Sequence, residues 1–294
     1  MLAYATATIE PPRESIGLSP QRISCTRRPR RAEGASCSAE FPPDHAHQHG
    51  GFFAWVNTTF DGHKVDFWNQ KDRLGRVRHI DVVDFESGPV FAGFTARLRH
   101  EDISRPGDPI PALDEVWNIR AYRIGPHHVV DFESAQKCAG DRPLRMNKYH
   151  YGGFGIRGNS AWYDPQSTGE TPPDPERSGK AEFLTSEGKH RLEGNHSRPR
   201  WVDLSGMLEG AFAGVTVLDH PTNFRFPQPV RLHPNKPYFC FAPMVEGEFR
   251  IEPGSTYVSR YRLILHDGPP EVAAIERLYD DYRDPPTVRL LAKE

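Results

Sequence analysis

Three histidines fall within five residues in Asp44-His45-Ala46-His47-Gln48-His49-Gly50. In an extended chain, side chains two residues apart share a face, so this spacing predicts that His45, His47 and His49 converge on one point. Imidazoles so placed have two uses. They hold a divalent metal, with His45, His47 and His49 as ligands, or they exchange a proton with a ligand oxygen, because their ordinary pKa lies near neutrality. Gly50 and Gly51 follow, removing side-chain bulk where a ligand or a strand would approach.

A second constellation runs from Asn147 to Arg157, NKYHYGGFGIR. Lys148, His150 and Arg157 are polar groups beside glycines, the composition of a sugar or carboxylate subsite. The glycine spacing lacks GxGxxG and leads into strand-like rather than helical sequence, so no nucleotide cofactor is expected. A third set is scattered over strand ends: Asp219-His220, Arg225, His233, Tyr238 and His266-Asp267. Residues in such places more often cap turns than catalyse. Asp219 is assigned to substrate binding and His220 to catalysis. Trp162 stands beside the proline-rich stretch 164–180 and is expected to offer a sugar-stacking platform.

These side chains need a scaffold, and its type is legible. From Phe41 onward, short runs rich in Val, Ile, Phe, Tyr and Trp alternate with Gly, Pro, Asp and Asn, which is strand punctuation. The pattern predicts strands near 51–56, 65–69, 76–86, 89–100, 115–125, 127–137, 151–157, 181–186, 200–204, 211–218, 237–241, 247–252 and 256–266. Ser87-Gly88-Pro89 and Gly125-Pro126 read as hairpin turns. In 270–282, Val272, Ile275, Leu278, Tyr279 and Tyr282 recur at three- and four-residue steps, the mark of an amphipathic helix. The expected fold is therefore all-β: a large antiparallel β-sandwich closed by a short C-terminal helix. Residues 1–38 have neither period and are expected to be a leader outside a single domain spanning 39–294.

Composition removes several functions. With 37 basic residues against 39 acidic and a formal charge of −2, no global field draws in nucleic acid or an anionic membrane. No apolar stretch is long enough to span a bilayer and no secretory signal opens the chain, which favours a cytoplasmic, soluble protein. Cys25, Cys37, Cys138 and Cys240 show no CxxC spacing and are expected to be free thiols. The oligomeric state is not legible.

Separated motifs in a fixed order, FPPDHAHQHGGFFAW, DFWN, GGFGIRG, RWVDLSG, AGVTVLDHPTNFRFP and YRLILHDG, resemble the bacterial PmoA-like proteins over residues 41–284. That family is described as of unknown function, and the resemblance implies an all-β fold. Its historical link to methane oxygenase finds no support, since nothing here looks like a membrane-embedded copper subunit. His45 and His47 match the family's His-rich motif. Phe154, Gly155 and Arg157 match its GxR strand, and Asp219, His220 and Pro221 its DHP turn. Where relatives carry an acidic residue ahead of the glycines, this chain has Lys148-Tyr149-His150-Tyr151, which weakens a carboxylate-based mechanism there.

By analogy with large sandwiches of the galactose-mutarotase kind, the leading expectation is a carbohydrate-active enzyme with epimerase- or lyase-type acid/base chemistry on a sugar or uronate. His45, His47, His150 and His220 would be its catalytic set, and Lys148, Arg157, Asp219 and Trp162 its substrate-binding set. Paired carboxylates at glycosidase spacing are not evident, so hydrolysis ranks lowest. The alternatives are an enzyme with a His-ligated divalent metal and a non-catalytic carbohydrate-binding module.

Overall fold

The computed structural model describes residues 37–39, 42, 45, 47–162 and 181–285. Asp44, most of the leader and the stretch 164–180 lie outside the described residues. The first half of the chain supplies β1 (Gly51–Ala54), β2 (Thr58–Phe60), β3 (His63–Val65), β4 (Gly75–Ser87), β5 (Phe91–Asp102), β6 (Ile110–Ile124), β7 (His127–Cys138) and β8 (Leu144–Met146). The second half supplies β9 (Gly153–Arg157), β10 (Glu182–Thr185), β11 (Trp201–Leu208), β12 (Ala211–Asp219), β13 (Val230–Leu232), β14 (Tyr238–Phe241), β15 (Phe249–Ile251), β16 (Tyr257–Asp267) and the helix α1 (Val272–Arg283).

All named strand pairs are antiparallel. They make one large sheet of eight strands in the order β10-β11-β12-β16-β7-β6-β5-β4, and two smaller sheets, β1-β9-β14-β13 and β15-β8-β2-β3. The sandwich expected from the sequence is what forms. Its centre lies where β9 and β14 of a small sheet meet β7 and β16 of the large one. There Phe154 stacks on Tyr261 at 4.6 Å between ring centroids, Phe132 lies 4.7 Å from Phe154, and Phe241 lies 5.1 Å from Tyr261. Full burial of each such ring contributes about 1.5–3 kcal/mol relative to exposure.

The other face of the large sheet is covered by α1, whose Ile275, Leu278 and Tyr279 pack on Trp201, Leu218 and Ile264. Trp201 Nε1 and Arg200 both donate to the Glu276 carboxylate, which fixes the helix to β11. The helix ends as the sequence implied, with Pro285 just beyond it.

Several boundaries differ from expectation, each for a local reason. The strand expected at 65–69 stops at Val65, because Asp66 Oδ1 accepts the backbone N–H groups of Trp68 and Asn69 at 2.9 and 2.8 Å. This side-chain turn competes with the ladder and leads into a 3-10 turn at Gln70–Asp72. Short β2, β3, β8 and β13 escape periodicity, since three residues cannot display a period of two convincingly. Cys37 and Ser38, assigned to the leader, are buried; Ser38 bridges Gly158, and Ala39 N–H donates to Arg157 O at 3.1 Å. Cys138 and Cys240 are free thiols as expected, but Cys37 is disulfide-bonded. The spacing rule detects chelating and redox pairs, not a bridge set by packing. Among the described residues no helix is long and apolar enough to cross a membrane.

Candidate functional site

The small sheet β1-β9-β14-β13 has two faces of different chemistry. Register pairs Phe52 with Gly155, Gly155 with Cys240, Arg157 with Tyr238 and Arg231 with Cys240. Because strand side chains alternate, these residues share one face, while Phe154, Phe239 and Phe241 point to the core. Trp68, turned back by the Asp66 bend, lies over that outer face. It meets Phe52 at 4.8 Å, Tyr151 at 5.4 Å and Tyr238 at 6.1 Å.

The glycines before and within β9 explain this closeness. A Cβ on Gly155 would stand 3.0 Å from Phe52 Cζ and 3.3 Å from Trp68 Cη2. Gly153, at φ +103°, would place one 2.5 Å from Phe241 O. The glycine-rich motif therefore admits the protein's own rings and backbone, where the sequence suggested room for a ligand.

At the edge of this face sits the histidine segment, and it is not extended. His45 N–H donates to Pro42 O at 2.9 Å, and Gln48 N–H to His45 O at 2.8 Å. Two successive turns replace the alternation that would have aligned three rings. His45 and His47 still meet edge to face, with centroids 5.5 Å apart. His49 turns inward and is buried. Among the described residues no three His, Cys, Asp or Glu side chains gather as a metal site, His45, His47 and His49 included.

His47 is the unusual member. Its Nε2 is buried and has no hydrogen-bond partner among the described residues. Burial, followed by the like charges of His45, His49 and Lys71, pushes its pKa down to about 4 against an upward pull from Asp66. Burial alone takes His49 to about 4. Both are neutral at pH 7. Together with Phe52, Phe67, Trp68 and Gln70 they line a cavity of about 30 Å³, room for water-sized groups.

His233 closes the opposite end. Its Nδ1 accepts the backbone N–H groups of Asn235 and Lys236, both at 3.2 Å. Burial, then the charges of Lys236, Arg231, His45 and Arg157, lowers its pKa to about 3. Lys236 Nζ donates to His45 Nδ1 at 3.2 Å, tying the two ends together. Arg157 is almost wholly buried and donates to Gln48 Oε1 at 3.2 Å.

A family model for a family of unknown function, DUF6807, matches residues 30–280. The chain belongs to DUF6807. The PmoA-like name suggested by the motifs gains no support from that match. No curated protein matches the chain. Among solved structures, the DUF6807 chain is similar to the GH36 alpha-galactosidase AgaB of Geobacillus stearothermophilus, at 12% identity and TM-score 0.40, covering 82% of this chain and 36% of that one. It is also similar to AgaA of the same organism, at 10% identity and TM-score 0.35, over 79% of this chain and 34% of that one. A galactose mutarotase related enzyme from Lactobacillus acidophilus matches at 12% identity and TM-score 0.34, over 81% and 89%. The chain thus spans about a third of the galactosidases, and likeness at this level says nothing of activity.

The remaining sequence-derived residues of this DUF6807 chain divide between that face and elsewhere. His150 is exposed between Tyr149 and Tyr151, with ring centroids at 4.5 and 4.8 Å. His196 Nε2–H donates to its carbonyl at 3.2 Å. Lys148 is exposed beside them. Trp162, by contrast, is fully buried, its Nε1 donating to Met207 O at 3.1 Å. It offers no stacking surface, because Gly158 leaves the space that its ring fills. Asp219 is buried, accepting from Asn223 Nδ2 and Gln228 N–H at 2.7 and 2.8 Å. Burial raises its pKa to about 7 against those donors. His220 hydrogen-bonds Thr222 and packs on Tyr282 of α1 at 4.8 Å. The charges it feels come from Arg260, Arg262, Asp131 and Glu133 on the large sheet, so it does not join His45 and His47.

Sequence reasoning passed over Trp68, Arg231 and Lys236. A usable signal existed for Trp68, since DFWN is an Asx-turn sequence that folds a tryptophan back on its own strand.

Proposed function

We propose that this DUF6807 chain is a carbohydrate-active enzyme working by acid/base chemistry of the epimerase or lyase type. The observation that carries the proposal is the buried, unpartnered His47 Nε2, facing a cavity walled by Trp68 and Phe52. A buried polar atom without a partner costs about 1–3 kcal/mol, and a substrate hydroxyl entering there would give it one. His47, neutral at pH 7, is the proton acceptor once a bound anionic substrate raises its proton affinity; His45, joined to Lys236, is the second group of the pair. The half-exposed rings of Tyr149 and Tyr151 suit the apolar face of a sugar.

The role of His47 is tested by exchange of substrate protons with solvent deuterium across a panel of sugars and uronates. Wild-type protein exchanges a ring proton of one panel member, and His47→Gln lowers that rate by about 100-fold or more while the thermal midpoint holds. Binding without exchange in the wild type, left intact by His47→Gln and lost in Tyr151→Ala, would identify a non-catalytic sugar-binding module instead.

A further inference from the structure

The end of the small sheet around His233 displays hydrogen-bond donors and little else. His233 Nδ1 is occupied by two backbone N–H groups, so the ring proton sits on Nε2 and that atom can only donate. Lys236 Nζ occupies His45 Nδ1, which fixes His45 as a donor through its own Nε2. Arg231 projects from β13 on the same face as Tyr238 and Cys240. It is half-buried, and among the described residues no carboxylate or carbonyl pairs with its guanidinium. Its charge is felt by His233 on one side and His196 on the other. Lys236, Arg231 and Arg157 are the fixed cations that act on His233.

A chain of net charge −2 has acids to spare for its surface cations. The large sheet shows the contrast: Arg97, Arg99, Arg260 and Arg262 each meet a carboxylate. Leaving Arg231 half-buried without a carboxylate forgoes charge-assisted hydrogen bonds, which a bound anion would restore. A guanidinium beside a fixed N–H donor matches the forked oxygens of a carboxylate or phosphate.

We propose that Arg231 and His233 Nε2–H form an oxyanion subsite at the β13 end of the small sheet, taking the carboxylate or phosphate group of an acidic sugar. The sugar part of this statement rests on the carbohydrate reading above; the anion part does not. A carboxylate there also suits the chemistry. Its negative charge raises the proton affinity of His47, and its cationic neighbours stabilise the charge that develops when the adjacent C–H is deprotonated.

The test is calorimetric titration of the full chain with galacturonate, glucuronate, galactose, glucose, galactose 6-phosphate, acetate and inorganic phosphate, using wild type, Arg231→Gln and Arg231→Lys, with thermal midpoints as the folding control. Acidic sugars are expected to bind at least tenfold more tightly than their neutral counterparts. Arg231→Gln removes that preference and Arg231→Lys keeps part of it. Leading affinity for a uronate marks a carboxylate subsite; leading affinity for the sugar phosphate marks a phosphate subsite. Arg231-dependent binding of acetate or inorganic phosphate with no sugar bound would uphold the subsite and remove the carbohydrate reading. Equal affinity for neutral and acidic sugars, an acid preference that survives Arg231→Gln, or no anion binding at all would overturn the proposal.

Discussion

Two histidines, His266 beneath α1 and His47 at the edge of the small sheet, sit in opposite surroundings. Beneath α1, His266 of the large sheet has both ring nitrogens engaged, Nε2 with Asp203 Oδ2 at 2.8 Å and Nδ1 with Gly268 O at 3.0 Å. Burial pulls its pKa down, but Asp203 and Gly268 raise it above the ordinary histidine value. Asp203 is in turn held by Ser205 and Thr216 at 2.7 and 2.8 Å. On the small sheet, His47 has a buried nitrogen with no partner, and His233 is left with one outward donor. The same residue type is a locked strut in one place and an unfilled valence in the other. What separates them is whether a neighbouring strand supplies the complementary group.

This contrast breaks most sharply at side chains that the sequence placed on the wrong side of it. Trp162→Ala should cost about 3–5 kcal/mol in chemical denaturation, the range for a buried Trp, and leave sugar binding no weaker than the loss of folded protein explains. A platform residue would show the reverse. Asp203→Asn should come next, costing about 1–3 kcal/mol, and its effect should depend on pH. Burial pushes the His266 pKa down, and Asp203 and Gly268 more than offset it, so the folded value is raised. The stabilisation is then complete below the ordinary histidine range and is lost as pH rises through the raised value. Denaturation curves of the two proteins should converge in alkali.

The small-sheet histidines carry the opposite sign. With folded values near 4 for His47 and His49 against about 6.5 unfolded, the unfolded chain takes up protons first. Their contribution is intact above about 6.5 and is lost as pH falls towards 4. The double variant His47→Gln, His49→Gln should flatten the acid limb of the stability profile between those values and leave the alkaline limb unchanged. At the small end, Lys148→Ala should change stability by less than about 0.5 kcal/mol, as expected for an exposed side chain. Its weight would show only in ligand affinity.

Local pattern sufficed for the long elements. β4 through β7, β11, β12, β16 and α1 announce themselves by period and by turn residues, because eight or more residues display a period and Gly88 and Gly125 mark hairpins. The site was legible only in part. His45 and His47 meet edge to face and Arg157 bonds the neighbouring Gln48, but Arg231 and His233 reach this sheet through pairing of β13 with β14 and β14 with β9, a register that no local window encodes. The histidine segment failed as a strand because turn hydrogen bonds at Pro42 and His45 outcompeted extension. His220 and Asp219 share a motif-like tripeptide with Pro221, yet one faces α1 and the other the interior, since consecutive strand residues point to opposite sides.

The most direct test of the contrast is a proton–nitrogen correlation spectrum of the imidazole rings, recorded at pH 7 with and without galacturonate. The account predicts shifts at His47 and His233, with His266 unmoved. A ligand that binds while His47 and His233 stay fixed, or that moves His266 instead, would contradict it.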